Sequence, residues 1–249
     1  SDFDNNGTVQ IDAGGIVIKK GGTHTGDFLG ATDTYLGFNA DGFPGLTLTF
    51  EEDSLIDFPT VLINGFEANF NGVYSFIHES DLLIDDGTIF TFQSSSEINY
   101  LGQLSSYNGE VIFSDNPNDY RIKTLRLGGT GVVQNDDSLE ILDNFDWRGG
   151  TLKGTGTTEV AATSLFRLWI TTHYLDGHDL INHTTAYWDA GSLVLSNDAT
   201  FTNNENFNAT NTTTMSGGTT GTFTNNGMFT KKTASTITTI STNFVNNGE

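Results

Sequence analysis

The chain has no cysteine and only three prolines among its 249 residues. Without cysteine there is no disulfide and no thiolate metal site, so packing and hydrogen bonds must hold the fold. That absence suits a secreted bacterial protein built without staples. Positive charge is scarce: 10 Lys plus Arg stand against 31 Asp plus Glu, a formal net charge of −21. Such a surface repels phosphate backbones and anionic lipids, which argues against nucleic-acid and membrane-surface partners. Divalent cations, basic partners and a salty medium remain compatible. No run of 18 apolar residues occurs, so no helical membrane insertion is expected. No signal peptide precedes Ser1-Asp2-Phe3-Asp4, so a secreted form is expected to be a mature or excised segment. Helical patterning is nearly absent, with no long segment carrying apolar residues at i, i+3, i+4 and i+7.

What remains is strand grammar. Hydrophobic content is 36%, which suits a thin core better than a thick globular one, and 19 Phe rule out wholesale disorder. Gly72-Val-Tyr74-Ser-Phe76, Gly109-Glu-Val111-Ile-Phe113 and Gly191-Ser-Leu193-Val-Leu195 share one pattern. A glycine turns the chain, then apolar residues at +2 and +4 point to one side.

A tetrad, Phe-x-Asn-Asn, is written four times: Phe3-Asp4-Asn5-Asn6, Phe201-Thr202-Asn203-Asn204, Phe223-Thr224-Asn225-Asn226 and Phe244-Val245-Asn246-Asn247. The last three phenylalanines recur after 22 and 21 residues, and Trp147 and Trp188 lie 41 apart, close to two such periods. A period of this size signals stacked repeats that cannot bury their apolar faces singly. The expected fold is all-β, a right-handed parallel β-helix with rungs of about 20–22 residues. Residues 1–249 are read as a single elongated domain, with the cleanest repeats at 147–249 and irregular rungs at 31–146. About 12 rungs at the ~4.8 Å strand spacing would make a body roughly 55–60 Å long. The tetrad phenylalanines are expected to stack inside and the asparagines to form amide ladders. Since the motif stands near both ends, its two end copies are expected to meet in register, with neighbouring copies or adjacent repeat units as partners.

The stretches Trp147-Arg-Gly-Gly-Thr-Leu152, Trp188-Asp-Ala-Gly-Ser-Leu193 and Ser216-Gly-Gly-Thr-Thr-Gly-Thr-Phe-Thr-Asn-Asn-Gly227 resemble β-strand repeat regions of very large secreted bacterial surface proteins, adhesin-like or haemagglutinin-like. The resemblance covers 147–249 and, less fully, 1–30. It implies an exported stalk, fibre or adhesin segment at the cell surface or outside the cell, and no catalytic residue to carry over.

The alternative is a carbohydrate-binding or polysaccharide-cleaving β-helix. Its carboxylates would come from Glu51, Glu52, Asp53 and Asp57, or from Asp85 and Asp86. Neighbouring strand residues point to opposite faces, however, and chance clustering is expected among so many acids. No catalytic residue is therefore assigned. Sugar stacking would fall to Tyr100, Tyr107, Trp169, Tyr174 and Tyr187. His24, His78, His173, His178 and His183 match no zinc motif and read as turn or surface residues. No cofactor is expected, although Ca²⁺ suits the acidic turns; Asp85, Asp86, Asp136 and Asp137 are its weak candidates, without EF-hand spacing. Sequons at Asn6, Asn182, Asn208 and Asn211, and Thr-x-Thr steps such as Thr23/Thr25, Thr32/Thr34 and Thr47/Thr49, are read as products of composition.

So many acids on a slender body repel one another, and salt should raise the melting temperature. Screening alone predicts equal melting in CaCl₂ and NaCl at matched ionic strength. A saturable calcium isotherm by calorimetry would overturn that account.

Overall fold

The computed structural model describes residues 2–40, 42–43, 45–74, 81–98, 101–114, 119–217 and 220–249. His78 and Tyr100 fall outside them. Every regular element among the described residues is a β-strand, and every strand pairing is parallel. The chain winds as a β-solenoid of about 11 turns, one fewer than the sequence suggested.

Each turn lays one strand on each of three faces. Thr8–Ile11 opens the first face, Gly15–Ile18 the second and Gly22–His24 the third. Asp27–Gly30, Tyr35–Asn39 and Leu46–Phe50 then pair with them one turn later. The same order holds near the other end in Thr200–Asn203, Asn206–Ala209 and Thr213–Ser216. In two middle turns the first corner is straightened. Tyr120–Leu127 and Ser138–Trp147 each run unbroken along both the first and second faces, with a register shift between Ile122 and Thr124. Beyond them the strand divides again: Ser138–Ile141 pairs with Thr157–Val160, and Asn144–Trp147 with Leu165–Leu168.

Alternation decides what is inside. In Leu46–Phe50 the side chains of Leu48 and Phe50 are buried, while the threonines between them face out. Parallel pairing in register then stacks equivalent side chains into columns. On the third face Phe50, Phe70, Phe92 and Phe113 succeed one another, with ring centroids 5.6, 5.9 and 5.2 Å apart. On the first face Leu180, Phe201, Phe223 and Phe244 align; Phe201 and Phe223 meet edge-on at 5.1 Å, and Phe223 and Phe244 stack at 5.6 Å. Phe201 and Phe223 are fully buried, whereas Phe244 is 38% exposed because Asn243–Asn246 is paired along only one edge. Trp147 and Trp188 occupy one column of the second face with Leu168 between them, so they sit two turns apart. Ala186 separates Phe166 from Phe207 in the neighbouring column, and Phe201 comes within 6.1 Å of Phe166 across that gap. The corner after Trp188 is closed by Gly191, at φ 76°, whose carbonyl accepts from the Trp188 indole at 3.1 Å; a Cβ there would collide with the Thr171 carbonyl.

Three histidines expected at turns or on the surface are in fact buried: His24, His173 and His178. His24 precedes Phe50 in the third-face column, 5.0 Å from it and edge-on to Phe28 at 5.1 Å. An imidazole fits an aromatic position by shape, but among the described residues neither of its nitrogens has a hydrogen-bond partner. Burial pushes its pKa down to about 4, with Asp4 pulling the other way. Burial likewise lowers His178 to about 4. Between pH 6.5 and 4 the unfolded chain binds protons that the folded chain refuses. Stability from these groups is therefore complete above pH 6.5 and is lost as pH falls through that window.

Replacing His24→Phe continues the column and removes two unpaired buried nitrogens. The variant should gain about 1 kcal/mol at pH 7 and lose less of its melting temperature than the parent between pH 7 and pH 5. Parallel melting curves for the two proteins across that range would refute this account of His24.

Candidate functional site

The tetrad asparagines form two columns beside the first corner. In the inner one, Asn182 Nδ2 donates to Asn203 Oδ1 at 2.8 Å, Asn203 to Asn225 at 2.8 Å and Asn225 to Asn246 at 2.7 Å, steps of 21, 22 and 21 residues. Asn182, Asn203 and Asn225 are completely buried. Each also closes its own corner: Nδ2 donates to the carbonyl two residues on, at Thr184, Glu205 and Gly227. The outer column is exposed or half-exposed. Asn226 donates to Asn204 and Asn247 to Asn226, both at 2.9 Å, and His183 stands one turn before Asn204. Asn182 begins the inner column with Leu180 in place of the phenylalanine, which hid it from the tetrad pattern.

The N-terminal tetrad does not belong to these columns, contrary to the expectation that the end copies meet in register. Asn5 pairs with His24 on the third face, so through Phe50, Phe70, Phe92 and Phe113 its column leads to Asn135, not to Asn203. Phe3 is half-buried, 5.9 Å from His24. What the copies share is the corner itself. Asn5 accepts from the Gly7 amide at 3.2 Å, as Asn135 does from Asp137 and Asn182 from Thr184. The motif encodes a turn that either corner accepts.

The acidic candidates do the same kind of work. Asp85 Oδ1 accepts from the Asp86 amide at 2.9 Å and from Asn108 Nδ2 at 2.8 Å. Asp136 Oδ1 accepts from the Thr155 amide one turn on at 2.8 Å, and this bond, followed by those from the Gln134 and Thr155 side chains, holds its pKa below the usual carboxylate range. Asp137 gives its backbone amide to Asn135. Glu51–Ser54 is a corner closed by Ser54 Oγ on the Glu51 carbonyl at 2.7 Å, with Glu52 and Asp53 in solvent; Asp57 ends a first-face strand. Among the described residues no three His, Asp or Glu side chains converge. Asp86 lines a groove of about 490 Å³ with Phe43, Gly65, Glu67 and Ile89. Of the sequons, Asn182 and Asn208 are buried, and Asn6 and Asn211 exposed. Thr23 and Thr49 face out in register, followed by Asn69.

The most organised polar surface lies on the second face, around the straightened strands. Two outward columns run side by side. One carries Ser105, Arg126, Asp146, Arg167 and Tyr187; the other, two residues further along each strand, carries Tyr107, Gly128, Arg148, Trp169 and Asp189. Arg148 grips Asp146 Oδ2 through Nε at 2.9 Å and Nη2 at 2.7 Å, and this bond raises the Arg148 pKa. The Trp169 indole donates to Asp146 Oδ1. The guanidinium carbons of Arg148 and Arg167 stand 5.1 and 4.7 Å from the Trp169 ring centre. Arg167 pairs with Asp189, which also accepts from Thr210 at 2.8 Å. Trp169 is thus engaged by guanidinium groups and not left open as a sugar platform. Tyr187 is 40% and Tyr174 45% exposed. The sequence reading missed the arginines because neighbours in this grid lie about 20 residues apart in the chain.

No protein-family model matches this chain, and neither curated proteins nor solved structures yield a match. The architecture itself defines the class: a three-faced parallel β-solenoid.

The buried and exposed amide columns should differ sharply in weight. Asn203→Ala removes a donor and an acceptor inside the corner and should cost about 2–4 kcal/mol in urea unfolding. Asn226→Ala, on the exposed column, should cost under about 0.5 kcal/mol. Equal losses would mean that the inner ladder is not a stabilising spine.

Proposed function

We propose that this chain is a structural segment of an extracellular fibre, stalk or adhesin, acting as a spacer whose axial partners are neighbouring copies of itself or adjacent repeat units. The observation that carries the reading is the unbroken axial columns. Phenylalanine and asparagine repeat their contacts up to Phe244 and Asn246, whose strand keeps the register of the preceding turns. Columns repeated in register are the pattern of stacked units that contact only their neighbours. Of the carboxylates singled out in the sequence, Asp85 and Asp136 hold corners by hydrogen bonds, which supports a structural role over a catalytic one. Secretion rests on the resemblance to bacterial surface repeats and on the lack of cysteine.

Negative-stain microscopy of the purified segment at high concentration tests stacking. Fibres with an axial repeat near 50 Å, about 11 turns at the ~4.8 Å strand spacing, are expected. A monodisperse monomer at every concentration would sink self-stacking. An antibody against the segment should label intact cells of its source; labelling only after permeabilisation would sink the extracellular assignment.

A further inference from the structure

The arginine–tryptophan grid contains one guanidinium that is only loosely paired among the described residues. Both oxygens of Asp146 are taken, one by the Arg148 fork and the other by the Trp169 indole. Arg167 has Asp189. Arg126 reaches Asp146 only at 3.9 Å, and its Nε is buried without a hydrogen-bond partner among the described residues. The side chain as a whole is still 39% exposed. Asp81 is the other charge it senses: burial raises the Asp81 pKa and Arg126 pulls it back. A guanidinium fork whose nearest carboxylate is already bound by other donors is suited to an incoming carboxylate.

Its surroundings are not those of a bare anion site. Ser105, one turn earlier in the same column, accepts from Gln103 Nε2 at 3.3 Å. Gly128, two residues after Arg126, has no side chain. A Cβ placed there would meet the Tyr107 ring at 3.0 Å and Arg148 Cβ at 3.3 Å, so the Tyr107 ring lies over Gly128, beside the column that carries Arg126. Tyr187 stands exposed three strands further along the column, roughly 14 Å away. Ile170, directly after Trp169, is 52% exposed and held at φ 83°, a strained conformation for a β-branched residue. Thr171 pins it, donating to the Arg148 carbonyl from both its amide and its hydroxyl at 3.1 Å. Strain of this kind persists where the surroundings over-determine the backbone, and it concentrates at binding sites.

We infer that Arg126, flanked by Tyr107 and Arg148 on the second face, binds the carboxylate of an acidic saccharide. The Tyr107 ring supplies flat apolar surface for the sugar, and the guanidinium takes the acid group. With a net charge of −21 on the whole chain, the ligand carries isolated acid groups and is not a dense polyanion. The inference does not depend on axial stacking, and its failure would leave the spacer reading intact.

Titration calorimetry with a glucuronic-acid-terminated disaccharide and its methyl ester is the test. The acid should bind at least tenfold tighter than the ester. Arg126→Gln should reduce the acid to the ester's level, and Tyr107→Ala should weaken both sugars. Arg121→Gln, which breaks the pair with Glu140 on the first face, should change neither. Should Arg126→Gln melt early, Arg126→Lys keeps the charge without the fork and should still lose most of the preference. No binding at millimolar sugar, equal binding of acid and ester, or an unaffected Arg126→Gln would overturn the proposal. Glutarate binding as tightly as the disaccharide would overturn its saccharide half.

Discussion

Parallel pairing in register makes the residue one turn away a nearer neighbour than almost any residue close in sequence. Each strand hands its side-chain positions to the next, so a choice made once is repeated or answered about 21 residues later. A buried polar group can then be satisfied by its own copy. Asn203 is the clearest case: with one amide it closes a corner, receives a bond from Asn182 and gives one to Asn225. An isolated asparagine at that depth would leave donors unpaired, at a cost near that of a lost hydrogen bond for each. The periodicity turns a polar liability into a continuous spine.

The same constraint governs charge. A body so acidic has little lysine or arginine for neutralisation, and it does not spread what it has evenly. All four arginines lie between residues 121 and 167, and three share the grid around Asp146 and Trp169. There the first corner is straightened into two long strands, giving side chains from adjacent turns a continuous surface on which to interleave. Elsewhere some carboxylates, Asp85 and Asp136 among them, sit at corners, where backbone and side-chain N–H groups hold them.

How much of this was legible in the sequence depends on whether a signal lay along one column. Phe201, Phe223 and Phe244 share a column and a regular turn length, so their spacing announced the solenoid. Phe50, Phe70, Phe92 and Phe113 carry the same signal in the N-terminal half, but no asparagine pair follows them to draw the eye. The second turn is also longer, with Gly22 answered by Leu48 and then Leu46 by Phe66, which blurs the period. Phe3-Asp4-Asn5-Asn6 misled for the opposite reason. Its letters match, yet Asn5 turns a different corner, because local hydrogen bonding specifies the bend and not the face. Buried histidines and the arginine grid were invisible because both depend on contacts between turns, which a linear reading does not order.

The two amide columns also have a sense of direction. In the inner one each Nδ2–H points from Asn182 toward Asn246; in the outer one Asn247 and Asn226 point theirs back toward Asn204. Aligned amide dipoles add along a row, as peptide dipoles do in a helix, and a single row would build a growing axial field with every turn. Two rows of opposite sense, side by side, largely cancel. Lengthening such a spine therefore adds hydrogen bonds without accumulating electrostatic polarity, and nothing in the amide columns themselves sets a limit on how many turns can follow.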